Sequence, residues 1–255
     1  MKLFASIYDE KEYFDSIDYL YNLIEGKNTE FITNLIFIQL VISLEVFIER
    51  LSKPLKKEYK NFCMNTLPPR IKIEHCKEII KSLNDKLYSS IEAHKKDCET
   101  LFLDLSKIWS DKSITHKVKL NFDLKFRSGK HGDAEIIKIF EKLGINNIFK
   151  EMKIKNKEGS LIYMDEFIDA QLFIQELVEK RNLAIHQGVK LSSQFSVKEV
   201  GNKIYVLKEI LKEINKIMDK HLNGLYFKKA LMNPNNIQPS ISNNECFSNA
   251  CYACI

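Results

Sequence analysis

Ile174-Gln175-Glu176-Leu177-Val178-Glu179-Lys180-Arg181-Asn182-Leu183-Ala184-Ile185-His186-Gln187-Gly188 sets apolar residues three and four positions apart and stops on a glycine. That spacing predicts an amphipathic helix closed by a glycine stop. On it, the neighbours of Arg181 are Ile174, Leu177, Val178, Ala184 and Ile185, all apolar. Arg181 therefore lies in the stripe that should face a core. A buried guanidinium needs partners, because an unpaired buried charge is very costly. Gln175, Glu179, Asn182 and His186 make a polar strip on another face of the same helix. Arg181 and His186 are about 140° apart around an ideal helix, so within one helix they do not point the same way.

Helical spacing continues outward in both directions. Short and long helices are expected over 10–25, over 29–51 with a continuation past Pro54 toward 65, and over 71–108 with an interruption near 85–95. Further helices are expected over 133–143, with Asp133 as cap and Gly144 as stop, over 164–187, and over 197–222. Pro68-Pro69 breaks the chain. The expected fold class is all-α, a helical bundle. The expected organisation is an N-terminal helix in 1–28, a main helical domain in 29–222 with a helical insertion at about 52–110, and a flexible tail in 223–255.

Residues 117–127 depart from this pattern. Val118, Leu120, Phe122, Leu124 and Phe126 alternate with polar positions, which is the period of an extended strand with one apolar face. A lone strand among helices is expected to lie across them, or to pair near 160–164 or 203–207.

The 255 residues are 45% hydrophobic and 29% charged, enough apolar material for a sizeable core and too much for wholesale disorder. Eight Gly and five Pro are too few for a sandwich or barrel with many tight turns. The apolar run Phe31–Leu44 carries Thr33, Asn34, Gln39 and Ser43 and is shorter than the roughly 20 residues of a membrane span, so it reads as a core helix and no membrane is expected. Met1-Lys2-Leu3-Phe4 runs into Asp9 and Glu10, so no signal peptide is read. Six cysteines without a scaffold pattern suggest reduced thiols and a cytoplasmic location. No metal or cofactor is expected.

The formal net charge of +5 is concentrated in 107–130, where seven Lys and Arg stand against Asp111 and Asp123. Lys117, Lys119, Lys125, Arg127 and Lys130 are the candidate RNA-contacting residues, with His116 and His131 beside them. His75, His94 and His221 lie on charged helices and are expected at the surface. Glu45 is a second charge on an apolar stripe, among Ile38, Val41, Ile42, Leu44 and Ile48. It is the natural partner for Arg181, although a buried ion pair that merely fixes helix register would read the same way.

Arg181-Asn182-x3-His186 followed by Gly188 resembles the RN-x3-H form of the HEPN motif, an Arg and a His separated by four to six residues. The surroundings are similar to a bacterial HEPN branch that includes the RiboL-PSP-associated members. The similar features are the early apolar helix with Leu44-Glu45-Val46-Phe47, the segment from Asp133 to Leu143-Gly144-Ile145, and a final long helix over 197–222. The resemblance covers roughly residues 30–222. It implies a metal-independent endoribonuclease, usually a homodimer in which two motif helices meet in a composite site. It assigns catalytic roles to Arg181, Asn182 and His186 and a supporting one to Glu45. It also implies a toxin or phage-defence effector, with a separately encoded antitoxin or defence partner. Some members of the family only bind nucleotides or RNA, so the alternative is a non-catalytic binding or helical interaction module.

The chemistry is consistent with the residue types. RNA supplies its own nucleophile, the 2′-OH, so cleavage needs two proton transfers and neutralisation of the phosphorane. A histidine titrates near neutrality and suits either transfer. An arginine holds phosphate oxygens bidentately.

Overall fold

The computed structural model describes residues 15–24, 29–62, 64–89, 91–108, 120–127, 131–155 and 167–232. About 80% of these residues are helical, which bears out the all-α expectation. The order is α1 (Asp15–Ile24), α2 (Thr29–Arg50), α3 (Ser52–Tyr59), α4 (Pro69–Ser89), α5 (Ile91–Lys107), α6 (Asp133–Lys142), α7 (Ile148–Glu151), α8 (Ala170–His186) and α9 (Val197–Met232). Between α7 and α8, β1 (Ile154–Lys155) and β2 (Phe167–Ile168) form a two-residue antiparallel pair.

Pro69 starts α4, where its missing N–H costs nothing. A capping box starts α9: the Ser196 amide donates to Glu199 Oε2 at 2.7 Å and the Glu199 amide to Ser196 Oγ at 3.3 Å. This helix runs ten residues past the expected end at 222, so residues 223–232 belong to the bundle rather than to a tail. Residues 233–255 lie outside the described part.

The core is one large cluster built on α2, α8 and α9. Phe37, Leu40 and Phe47 of α2 pack with Ile174 and Leu177 of α8 and with Leu207, Ile210 and Met218 of α9. Leu51, Leu55, Tyr59 and Phe62 join the same cluster. The insertion is therefore smaller than expected. The pair α4–α5 holds a separate small cluster of Ile79, Leu83 and Cys98, whereas 52–62 is main core. By length and composition Phe31–Tyr59 is able to cross a membrane, and 56% of its most apolar window is buried inside the bundle.

Residues 120–127 keep their period of two. Leu120, Phe122 and Leu124 are buried while Asn121, Asp123 and Lys125 are exposed. No strand pairs with this segment among the described residues. Residues 203–207 are helical, and 160–164 lie outside the described part. The segment lies across the helices, and side chains take its backbone donors: the Asn121 amide donates to His75 Nδ1 of α4 at 2.9 Å, and the Phe126 amide to Glu49 Oε1 of α2 at 3.2 Å.

Candidate active site

Helix α8 begins where the Asp169 carboxylate accepts the Leu172 amide at 3.0 Å. Ala170, Phe173, Ile174 and Leu177 bury its apolar stripe. At its far end the amides of Gln187 and Val189 both reach the Leu183 carbonyl, at 3.1 and 3.3 Å. Gly188 takes φ +61°, the left-handed turn that ends many helices. Asn34 of α2 then clamps the chain. Its Nδ2 donates to the Val189 carbonyl and its Oδ1 accepts the Leu191 amide, both at 3.0 Å. Asn34 was not expected to matter. An amide inside the run Phe31–Leu44 is the only hint of it in the sequence.

The candidate residues occupy the last two turns of α8. Arg181 is half-buried, its Nη1 donates to Asn182 Oδ1 at 2.9 Å, and its Nε is buried without a hydrogen-bond partner. Asn182 is half-buried and His186 exposed. Upstream on the polar face, Gln171 and Gln175 both donate to Asp133 Oδ2, at 2.7 and 3.0 Å. The same face continues through Asn182 to His186. Asp133 is thus not the cap of α6. It is the first helical residue, Gly132 holds the cap position, and the Asp133 carboxylate ties α6 to α8.

Glu45 does not pair with Arg181. Its Oε1 lies 2.7 Å from His131 Nδ1, and His131 lies nearly parallel to Phe126 with ring centroids 6.4 Å apart. The physical reason is that Glu45 is taken by His131, whereas Arg181 lies half-buried near the end of α8 with its Nη1 on Asn182. The Glu45–His131 pair is close to the motif helix all the same. A Cβ at Gly132 would lie 3.9 Å from Val178, one helical turn before Arg181 and Asn182.

The basic segment is less available than its charge suggests. Lys117, Lys119 and Lys130 lie outside the described residues. Arg127 is held bidentately by Glu135, Nε to Oε1 at 2.7 Å and Nη2 to Oε2 at 2.5 Å. Arg127 holds the Glu135 carboxyl below the usual range. Lys125 lies 3.4 Å from Asp123, which also takes Lys56 at 3.0 Å.

Two histidines expected at the surface are not there. His75 is fully buried with its Nε2 unpartnered among the described residues, and burial pushes its pKa down against the opposing pull of Asp104. His221 is partly buried, with Nε2 3.2 Å from the hydroxyl of Tyr59. Burial, with Lys228 nearby, lowers its pKa to about 4 against the pull of Glu151. The signal was legible: each has apolar residues four positions away on both sides, Ile71 and Ile79 for His75, Ile217 and Leu225 for His221.

Comparison with models of known protein families, with curated proteins and with solved structures finds no match for this chain.

Proposed function

We propose that this chain is a metal-independent endoribonuclease of the HEPN type, acting as a toxin or phage-defence effector in the cytoplasm. The observation that carries the reading is the end of α8. There Arg181 has a buried Nε donor with no partner among the described residues, with Asn182 beside it and the exposed His186 five positions on. A buried polar atom left unpaired is costly and calls for a function. A phosphate oxygen that entered as the helix end shifts would supply the acceptor this guanidinium lacks.

In the proposed reaction, a histidine imidazole removes the proton of the 2′-OH. The 2′-oxygen attacks phosphorus, Arg181 neutralises the phosphorane oxygens, and the P–O5′ bond breaks as a proton returns to the 5′-oxygen. The products are a 2′,3′-cyclic phosphate and a 5′-OH end. Asn182 holds the Arg181 guanidinium at 2.9 Å and so sets its direction.

The second half of the site comes from a second copy. Arg181 and His186 diverge by about 140° on one helix, so a single chain does not aim both at one phosphate. What supports a homodimer is α2. Phe31, Leu35, Ile38 and Ile42 fall along one line of it, and none of the four is buried. An apolar face of this kind, beside the α8 end that Asn34 fixes, fits a copy of itself. Purified chain should cleave RNA in the presence of EDTA and leave cyclic-phosphate ends. His186→Ala should abolish the cleavage while the protein stays folded. Cleavage that survives His186→Ala overturns the assignment.

A further inference from the structure

A second feature lies away from α8. A cleft of about 1260 Å³ opens between the start of α4, the turn joining α6 to α7, and the C-terminal half of α9. None of the RN-x3-H residues lines it. Lys72, Lys150, Lys220 and Lys228 do, against Glu141 and Glu151. Both glutamates are already engaged: Arg70 holds Glu141 at 2.7 Å, and Lys220 holds Glu151 at 2.9 Å. Lys150 and Lys228 have no carboxylate partner among the described residues.

Gly224 separates the two α9 lysines. Lys220, Gly224 and Lys228 follow at intervals of four, so they share one face of the helix over about 12 Å. A glycine inside a helix weakens it relative to alanine. Nothing lies within 4 Å of where its Cβ would be, and its φ is not left-handed, so neither packing nor a turn requires a glycine there. Its absent side chain leaves the α9 backbone bare on the cleft wall between two cations, room that a ligand's own backbone can use.

We propose that this cleft is a phosphate-binding groove for a single RNA strand. It takes RNA as ligand from the function proposed above and deepens that reading by giving the substrate a path outside the α8 end. The volume exceeds the 300–1,000 Å³ of ordinary small-molecule sites. No Phe, Tyr or Trp lines it among the described residues, so it offers none of the large aromatic platforms on which successive bases stack. His221 is the one aromatic ring among the described lining residues and is held against Tyr59, so the lysines spaced along the wall follow the charge of a strand more than its sequence.

The test measures binding, not cleavage. A labelled 2′-O-methyl RNA of about 16 nucleotides lacks the attacking hydroxyl, and its anisotropy is followed with the full chain between about 50 and 200 mM salt. The Lys150→Gln/Lys228→Gln double variant should weaken binding and reduce the slope of log K against log salt by about 1.4, since each single-strand contact contributes about 0.7. Gly224→Gln should block the groove and lose binding while its thermal midpoint stays level or rises. If either variant binds as the wild type does, or the wild type does not bind, the proposal is overturned. Binding of labelled poly-glutamate that the double variant loses, without RNA binding, would assign the cleft to an acidic protein and also overturn it. Failure of the nuclease reading shows separately, as an absence of cleavage with binding intact.

Discussion

Replacing Asn34 by alanine tests how the end of α8 is fixed. Asn34 makes two hydrogen bonds of 3.0 Å, one donated to the Val189 carbonyl and one accepted from the Leu191 amide. Each is a neutral bond worth about 0.5–1.5 kcal/mol net, and removal leaves two backbone groups to find new partners. Leu191 is fully buried, so its amide has little access to water, whereas the exposed Lys190 beside it allows partial hydration. The expected loss is about 2 kcal/mol, or a fall of about 4–8 °C in the thermal midpoint for a chain of this size. Urea unfolding followed by circular dichroism checks it, with the midpoint shifting at unchanged slope. Asn34→Asp keeps the acceptor for Leu191 but sets a carboxylate oxygen against the Val189 carbonyl, two acceptors that repel, so it should recover little over alanine. An Asn34→Ala protein within about 0.5 kcal/mol of wild type refutes the reasoning, and the loop after α8 is then held by its apolar contacts alone.

Stability should fall with acidification. His75 and His221 are held neutral in the fold by burial, His221 down to about 4. The unfolded chain takes up protons near 6.5 and the folded chain resists. The histidine share of stability is therefore full above about pH 7 and is lost as pH falls from about 6.5 toward 4, the His221 part being roughly 3 kcal/mol; below that the fall continues as carboxylates held low in the fold, Glu135 among them, are protonated. A pH series of urea midpoints checks this, and His221→Gln should flatten it. Arg127→Ala should destabilise by leaving the buried Glu135 carboxylate unpaired, and adding Glu135→Gln should recover most of the loss in a double-mutant cycle. Gly188→Ala should cost about 1 kcal/mol by thermal melting, from the left-handed turn at φ +61° rather than from a clash, since nothing lies within 4 Å of the new Cβ.

Periodicity carried most of the fold. Helical spacing located every long helix, and alternation at Leu120, Phe122 and Leu124 predicted an extended segment that the bundle holds with side-chain acceptors in place of a partner strand. What periodicity does not see is contact between a helix and an irregular segment far away in the chain. Glu45 meets His131 across 86 positions, and Asn34 meets Val189 across 155. Neither loop residue has a helical neighbour pattern to flag it. Charge count misled in a different way. Arg127 and Lys125 carry charge that suits phosphate, yet each has a carboxylate in the fold, while Lys150 and Lys228 have no carboxylate partner among the described residues. His75 and His221 follow the apolar residues four positions away on each side rather than the charge of their helices.

The most direct test of the central claim is cleavage of RNA by purified wild type, His186→Ala and Arg181→Ala, with EDTA present and the fold of each variant checked by circular dichroism. The account predicts discrete fragments with 2′,3′-cyclic phosphate and 5′-OH ends from wild type, and none from either folded variant. Intact RNA with the wild type across varied substrates, or equal cleavage by folded His186→Ala, would contradict it.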